Sequence, residues 1–245
     1  MGMASFVHTC VWLTHAHIQM VARGAGNKFV VVEKLSETLH VRLEKHRGFH
    51  IEALIPSFMK KKKKGDEWGF GQRLKSALEL ARAVRSCHFE LRDNACVLHR
   101  DINPNNVGFR PDGTCVLLDF SHAKAMHGYR EGENPREMTG GARNEIYQAP
   151  EVSLHNPYGA GSDVWSWAVV AWEMLTMSVP YGDVKEEEFL SRVVEGGERL
   201  KCEGQKEWPE GLGWMLGRCF EEVAGNRPSI ADVVDELEKM HASIG

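Results

Sequence analysis

The chain has 245 residues, 42% of them hydrophobic and 26% charged, and its formal net charge is −4. This composition is typical of a globular chain with room for one large domain or two small ones. The slightly acidic balance gives no reason to expect a nucleic acid or a membrane surface as a partner. The six cysteines contain no Cys-x-x-Cys pair, so they indicate neither a zinc site nor a disulfide framework.

The sequence carries no signal that would direct it to a membrane or out of the cell. Its longest apolar run, residues 164–175, contains Glu173 and is shorter than the roughly 20 residues that cross a bilayer. The Met1-Gly2 start lacks the serine or threonine that a myristoylation motif needs at position 6, where Phe6 stands. We therefore expect a cytoplasmic chain in a reducing compartment.

The first clear element in chain order is a β-branched run at residues 29–35, which predicts a buried strand. Just upstream, Gly24-Ala25-Gly26 followed by Lys34 superficially matches a phosphate-binding glycine loop and its lysine. We reject that match because the separation is too short for the two strands and the turn that such an arrangement needs. No other glycine loop or strand lysine can be placed upstream.

A short helix is predicted over residues 36–47, with Leu39, Leu43 and the aliphatic part of Lys45 facing inward. The same periodicity returns in the segment from about Gln72 to Phe89. That second helix should turn one apolar face towards the core and deliver the chain to the following strand.

Between these two helices, residues 48–71 are interpreted as an insertion. The run Lys60–Lys64 consists of consecutive lysines, which is typical of a solvated loop. A nuclear-localisation patch is the alternative interpretation of the same run, so a nuclear location stays open beside the cytoplasmic one.

The stretch 99–121 contains two short apolar runs, Val107–Phe109 and Cys115–Leu118. They are joined by Arg110-Pro111-Asp112-Gly113. Proline presets φ and glycine accepts the positive φ that closes a turn, so this sequence predicts a β-hairpin.

Closing that hairpin brings together polar residues from its two flanks. Asp101 and Asn106 lie before the first strand, and Asp119 follows the second. Two carboxylates and an amide at one strand mouth suit a hard divalent cation, because such ions prefer oxygen ligands. The sequence therefore predicts a metal site at this end of the hairpin.

The rest of the chain is predicted to be mainly helical. Residues 120–149 lack periodicity and are interpreted as a mobile segment, whereas the helix that follows, with Ser162 as its N-cap, is apolar on most sides and should be central. An amphipathic helix is predicted over Leu212–Phe220. Two capping boxes are predicted, and their residue pairs are Asp183 with Glu186 and Ser229 with Asp232.

Several motifs now occur in one order along the chain. His99-Arg100-Asp101 is followed by Asn106 and by Asp119-Phe120, then by Ala149-Pro150-Glu151, by the run from Asp163 to Trp167, and by Arg227-Pro228-Ser229. This series resembles the catalytic domain of protein kinases, nearest to the tyrosine-kinase-like group of serine/threonine kinases. The resemblance covers roughly residues 15–241.

The resemblance implies an α+β, protein-kinase-like fold. It places a truncated, β-rich small lobe and the hinge in residues 1–35. A mainly α-helical large lobe then occupies residues 36–245, with the insertion at about 48–71 inside it. Because the front of the small lobe is missing from the pattern, a protein partner that covers the incomplete lobe is also expected.

By the same resemblance, the stretch 99–121 would bind Mg²⁺ and the phosphates of ATP and transfer a phosphoryl group to a serine or threonine of a protein substrate. Asp101 would accept the proton of the substrate hydroxyl. Asn106 and Asp119 would hold Mg²⁺ against the phosphates. Arg100 would pair with a phosphorylated activation segment. His99 and Phe120 would be core residues without a chemical role.

The adenine end of ATP would be bound at the hinge. Val32 would be the gatekeeper, and the carbonyl of Glu33 and the amide of Leu35 would face the adenine edge. Elsewhere, Asp163 would hold the backbone of the catalytic loop, and Glu151 would form a buried ion pair with Arg227.

The chain also departs from the kinase pattern. Asn103 stands where serine/threonine kinases carry a lysine, Asn144 stands where they carry a threonine, and Ser121 replaces the glycine of the Asp-Phe-Gly motif. Two hypotheses therefore remain. The chain is a serine/threonine kinase domain, or it is a catalytically inactive kinase-like scaffold that binds protein partners.

Overall fold

The structure is a computed structural model that describes residues 22–23, 30–31, 35–47, 68–92, 94–128 and 145–244; of the first two pairs it describes the backbone. The predicted gatekeeper Val32, the hinge residue Glu33, the lysine run 60–64 and Asn144 lie outside the described residues, as do residues 129–143 of the predicted mobile segment.

Two short strands represent the front of the chain in the described structure. Strand β1, Ala22–Arg23, pairs antiparallel with β2, Val30–Val31, so that Ala22 lies opposite Val31. Strand structure is thus described for two residues of the predicted run 29–35.

The predicted helix at 36–47 begins later than expected. Strand β3, Glu37–Thr38, comes first, and helix α1 follows at Leu39–Arg47. Leu39 and Leu43 are fully buried, as predicted. Lys45 is exposed, so the prediction that its aliphatic part faces inward was wrong: a lysine on a one-sided helix keeps its charged end in water.

Helix α2, Phe70–Phe89, begins two residues before the predicted Gln72 and inside the segment interpreted as an insertion. The backbone N–H of Gly69 donates to the side-chain oxygen of Gln72 at 3.2 Å, which satisfies a donor that the start of the helix would otherwise leave open. The face predicted to be apolar is buried, at Leu74, Leu78, Ala81, Val84 and His88.

Helix α4, Ala160–Thr176, is the buried centre of the helical part; α3 is the short helix Pro150–Ser153 before it. Its N-cap is Gly159, so the prediction that Ser162 caps it was wrong. Gly159 has an extended backbone, and the helix begins directly after it. The Ser162 hydroxyl donates to the carbonyl of Gly159 at 2.8 Å from inside the first turn.

Three further helices complete the C-terminal part: α5, Glu186–Phe189, which continues as a π-helical turn; α6, Leu212–Cys219; and α7, Ile230–Ile244. The amphipathic helix predicted at 212–220 is confirmed.

Only one of the two predicted capping boxes is present. The Ser229–Asp232 box is confirmed, because the Asp232 amide donates to the Ser229 hydroxyl at 3.1 Å and the Ser229 amide donates to the Asp232 carboxylate at 3.2 Å. The box predicted at Asp183 and Glu186 was wrong. The N-cap there is Lys185, and no side chain bonds the helix start.

The large core forms where α2 packs on α4 and α7. Trp165 and Trp167 of α4 are both buried, and the indole N–H of Trp167 donates to the carbonyl of Ala77 on α2 at 3.1 Å. The two helices are thereby tied together by a hydrogen bond as well as by apolar contact.

Four strands position the loops of the candidate site. Strand β4, Ala95–Leu98, pairs with β7, Lys124–His127; strand β5, Val107–Phe109, lies between β3 and β6, the latter at Cys115–Leu117. The predicted hairpin is confirmed, with Val107 opposite Leu117.

The turn of this hairpin is closed as its sequence predicts. The Gly113 amide donates to the Arg110 carbonyl at 2.9 Å, and Gly113 has a φ of +87°. At the base of the hairpin, the amide of Cys115 donates to the buried carboxylate of Glu79 on α2 at 2.8 Å. The hairpin is therefore fixed to the helical core.

The α+β class is confirmed by these helices and small antiparallel sheets. Within the described parts of the chain, no helix combines the length and the apolar character that crossing a membrane requires.

Candidate active site

The loop that leaves β4 is held from below by a buried carboxylate. Asp163, 1% exposed on α4, accepts the amide of His99 at 2.8 Å and the amide of Arg100 at 2.9 Å. The predicted role of Asp163 in holding this backbone agrees with these bonds. Arg100 has a φ of +70°, in the left-handed region that a non-glycine residue rarely adopts, and its bond to Asp163 helps to maintain that conformation.

His88 on α2 supports the same carboxylate, with its Nε2 lying 3.0 Å from Oδ2 of Asp163. Burial opposes ionisation of Asp163, but the hydrogen bonds to His88 and to the Arg100 amide favour its charged form, and the pKa of Asp163 lies below its ordinary value. Sequence reasoning had placed His88 on a core face without recognising this contact. A histidine on an apolar helix face was the available signal, because buried imidazoles need a hydrogen-bond partner.

Asp101 has both of its carboxylate oxygens hydrogen-bonded to amide groups of its own loop. The Asn106 side-chain nitrogen donates to Oδ2 at 2.8 Å, and the Asn103 side-chain nitrogen donates to Oδ1 at 2.9 Å. Asn106 also donates to the Asp101 carbonyl at 2.8 Å. Asp101 is partly exposed, and these bonds give its carboxylate a defined orientation within the loop.

Asn106 and the segment after β6 meet at the mouth of the hairpin. The amide of Leu118 donates to the backbone carbonyl of Asn106 at 2.8 Å, so Asp119 follows directly after a residue that is bonded to the start of the hairpin. Asp101, Asn106 and Asp119, predicted to converge from the two flanks of the hairpin, therefore lie at one end of it.

Asp119 is exposed and has a φ of +54°. Its carboxylate accepts the backbone N–H of Ser121 at 3.1 Å, and the Ser121 hydroxyl also bonds to it. The hydrogen bond from the Ser121 side chain, more than any other interaction, lowers the pKa of Asp119 below its ordinary value, so the group is anionic at neutral pH.

These groups are suited to a hard cation. Because the nitrogen of the Asn106 amide faces Asp101, its oxygen is the atom offered to a metal, together with the anionic carboxylate of Asp119. In the described part of the chain, no cluster of three or more His, Cys, Asp or Glu side chains could hold a metal by itself. A cation here would depend on oxygen ligands supplied from outside the protein, such as phosphate groups.

His99 and Phe120 are packing residues, as expected. His99 is fully buried, its Nε2 donates to the carbonyl of Leu118 at 2.8 Å, and its ring meets that of Phe120 edge to face at 4.8 Å. Burial lowers the pKa of His99, and its Nδ1 accepts the amide of Asp101 at 3.3 Å. A neutral ring with one donor and one acceptor satisfies both contacts.

Arg100 has partners inside the protein. Its Nε donates to the hydroxyl of Tyr158 at 2.7 Å, and one terminal nitrogen donates to the carbonyl of His122 at 3.2 Å. Tyr158 was not singled out from the sequence, and no local pattern pairs it with Arg100. Residues 129–144 of the activation segment lie outside the described residues, and the pairing of Arg100 with a phosphorylated residue of that segment stays a prediction.

Of the three residues predicted to contact the nucleotide base, only Leu35 is described. Its side chain lies so close to Gly108 of β5 that a Cβ at position 108 would stand 2.5 Å from it. The neighbouring Ser36 amide donates to the carbonyl of Phe109 at 2.8 Å. The structure therefore brings Leu35 onto the hairpin that carries Asn106.

A cleft separates the Asp101 loop from the segment that leads into α3. Tyr147 on its far side donates to the buried carboxylate of Glu173 at 2.8 Å, and Arg47 of α1 donates to the other oxygen of that carboxylate, also at 2.8 Å. Burial raises the pKa of Tyr147 well above its usual range, so the hydroxyl stays protonated. Both walls of the cleft are thus fixed to α4.

Glu151 and Arg227 form the predicted ion pair. The two terminal nitrogens of Arg227 donate to the two oxygens of Glu151 at 2.7 and 2.9 Å, and Nε donates to the carbonyl of Glu221 at 2.8 Å. The Arg227 side chain is fully buried, while that of Glu151 is 13% exposed. This bidentate pair joins the start of α3 to the turn before α7.

A model of the family described as protein tyrosine and serine/threonine kinase matches residues 11–237 of the chain. Two curated relatives are each 28% identical to it. One is a mitogen-activated protein kinase kinase kinase 7-like protein of Drosophila melanogaster, matched over 73% of this chain and 44% of the relative. The other is the serine/threonine-protein kinase STY17 of Arabidopsis thaliana, matched over 70% of this chain and 28% of the relative.

A third relative, mitogen-activated protein kinase kinase kinase 12 of Rattus norvegicus, is 28% identical over 60% of this chain and 16% of its own length. The chain thus spans less than half the length of each of these three relatives.

Proposed function

The chain belongs to the protein tyrosine and serine/threonine kinase family, and on that premise we propose that it transfers a phosphoryl group from ATP to a serine or threonine hydroxyl of a protein substrate. The family implies ATP and a divalent metal in general; that the metal is Mg²⁺ is part of the proposal. The observation that supports it best is the convergence of Asp101, Asn106 and Asp119 at one hairpin mouth.

In the proposed mechanism the protein mainly positions groups and neutralises charge. Asp101 orients the substrate hydroxyl and accepts its proton at a carboxylate oxygen. Asn106 and Asp119 hold Mg²⁺, which when bound neutralises charge on the phosphates. Arg100, bonded to Tyr158, would pair with a phosphorylated activation segment. The carbonyl of Glu33 and the amide of Leu35 would bind the adenine edge, and Val32 would be the gatekeeper beside them.

A non-catalytic scaffold is the second candidate, and a specific contact favours it. Asn103, at the position of the usual lysine, is a neutral amide whose nitrogen donates to Asp101, and this position therefore supplies no positive charge for the phosphates. Loss of one such electrostatic contact typically costs ~10²–10³-fold in rate. A protein partner that covers the front strands belongs to this proposal as well.

The decisive test compares phosphate transfer to a protein substrate by the purified chain with transfer by Asp101→Asn. We expect transfer that the variant loses. In parallel, nucleotide affinity is measured with and without Mg²⁺ in the parent chain and in Asp119→Asn. If Mg²⁺ strengthens binding in the parent and not in the variant, but no phosphate is transferred, the scaffold is the function. If Mg²⁺ has no effect on the parent, the proposed metal site is wrong.

A further inference from the structure

The side chain of Asn103 is buried, with the residue 5% exposed, and it is used in three hydrogen bonds within its own loop. Its nitrogen donates to the carboxylate of Asp101 at 2.9 Å and to the carbonyl of the same residue at 3.1 Å, while its oxygen accepts the amide of Asn105 at 3.0 Å. Every strong hydrogen-bonding atom of this amide therefore has a partner.

Two amides thus hold opposite oxygens of one carboxylate. The hydrogen bond from Asn106 alone would fix Oδ2 of Asp101 and leave the carboxylate free to rotate about that hydrogen bond. The second bond, from Asn103 to Oδ1, removes the remaining rotation. Neither bond needs a nucleotide, a metal or a substrate, because both donors come from residues 103–106.

We propose that Asn103 is a positioning residue, which presets the orientation of the Asp101 carboxylate before ATP or metal binds. The inference rests on the function proposed above and deepens it. An amide carries no net charge, so the contribution of Asn103 is geometric and falls on the substrate hydroxyl rather than on the phosphates. Its loss should therefore lower kcat and leave the KM for ATP unchanged.

The substitution Asn103→Asp separates the hydrogen bond from Asn103 to the Asp101 carboxylate, which we call the clamp, from the hydrogen bond that the same side chain accepts from the Asn105 amide. The introduced carboxylate can still accept the Asn105 amide and so keeps the local turn closed. It cannot donate to Asp101, and it places a second negative charge beside that group. Asn105→Asp is the matched control, because it makes the same chemical change two residues away on an exposed side chain.

A misplaced reacting group typically costs on the order of 10²-fold in rate. We therefore expect Asn103→Asp to lower kcat by about 10–100-fold at constant KM for ATP, and Asn105→Asp to change kcat by less than about twofold. Equal losses in the two variants would overturn the proposal, since a general effect of added charge would then explain both. A loss that appears in KM for ATP would overturn it too.

A second measurement does not need activity. In nuclear magnetic resonance spectra of the nucleotide-free chain, the side-chain NH₂ of Asn103 should exchange with solvent at least ~10-fold more slowly than that of Asn105, because its hydrogens are bonded. Asp101→Ala should remove much of this protection. Equal protection in the parent and in Asp101→Ala would show that the carboxylate is not the partner, which overturns the proposal.

The two measurements separate the inference from the function on which it rests. A protected Asn103 amide in a chain that transfers no phosphate would support the clamp and reject the proposed transfer. An unprotected amide in a chain that transfers phosphate would reject the clamp and support the transfer.

Discussion

Two neighbouring segments of the site, the catalytic loop at 99–106 and the segment 118–122 that carries Asp119, are held in different ways. The loop is fixed from beneath by Asp163, which is buried, and closed by the amides of Asn103 and Asn106. Asp119 is exposed, and its carboxylate is hydrogen-bonded to Ser121 of its own segment. The loop is anchored in the core, whereas the carboxylate of Asp119 is held by its own segment, whose other residues Leu118, Phe120 and His122 contact the loop.

The different anchoring of the two segments suits the different roles that we propose for Asp101 and Asp119. The group proposed to accept a proton must have a fixed direction, because the rate depends on its alignment with the hydroxyl. The group proposed to hold a metal can complete its geometry when the metal and the phosphates arrive. Substitutions at the anchor should therefore affect folding, and substitutions at the exposed segment should affect ligand binding.

The largest expected effect is that of Asp163→Ala. The change removes the acceptor of two loop amides and strands His88, so the free energy of unfolding should fall by roughly 5 kcal/mol. Denaturant unfolding measures this difference. The control is Asp119→Ala, which removes a carboxylate from the exposed segment and should change stability by less than ~0.5 kcal/mol. Similar losses in the two variants would erase the contrast between the segments.

A smaller loss is expected from Arg227→Ala, which tests whether the start of α3 is anchored as firmly as the catalytic loop. The substitution leaves Glu151 without its bidentate partner. The stability should fall by roughly 3 kcal/mol, at the lower end for a broken buried pair, because Glu151 is partly exposed and can be rehydrated.

Thermal unfolding of Arg227→Ala beside Lys239→Ala provides the comparison, since the side chain of Lys239 is exposed and its ion pair with Glu236 lies on the surface. A melting temperature for Arg227→Ala equal to that of the surface variant would show that the anchor does not extend to α3.

Tyr158→Phe should have a moderate effect of about 1 kcal/mol, because it removes one hydrogen bond from the Nε of Arg100 while keeping the ring in place. Tyr147→Phe is a matched control that removes a hydroxyl bonded to Glu173 on the other wall of the cleft. Both losses are measured by denaturant unfolding. A loss for Tyr158→Phe well below that of Tyr147→Phe would mean that Arg100 is held mainly by its other contacts.

Much of this architecture could be predicted from local sequence. The hairpin follows from its Pro-Asp-Gly turn, helix α4 from its apolar surface, and the Ser229–Asp232 cap from its spacing, because each depends on residues close together in the chain. The convergence of Asp101, Asn106 and Asp119 followed from the hairpin. These elements are determined by short-range geometry, and the structure agrees with them.

Contacts that join distant parts of the chain could not be predicted in the same way. The Arg100–Tyr158 bond and the support of Asp163 by His88 depend on how the helices pack. The local periodicity of the sequence does not reveal that packing. Serine is a common N-cap residue, which favours a helix start at Ser162, but the helix begins earlier, after the extended Gly159. The amide of Asn103 was treated as a missing lysine, and its bond to Asp101 emerged only from the loop conformation.

The smallest expected effect on stability, and the most specific one, is that of Ser121→Ala. The Ser121 hydroxyl is the main cause of the lowered pKa of Asp119, so its removal should raise that pKa towards the ordinary value of 3.8. A depressed pKa contributes stability above the unfolded-state value and loses it as the pH falls through the folded value. Asp119 is exposed, however, and this contribution is screened by solvent, so the free energy of unfolding near neutral pH should hardly change.

The pKa of Asp119 can be followed by carboxyl nuclear magnetic resonance titration, with Ser178→Ala, another exposed serine, as the control. A raised pKa of Asp119 with unchanged stability would establish that the Asp119 carboxylate is organised by its own segment. A large loss of stability would instead place it in the anchored part of the site, beside the catalytic loop.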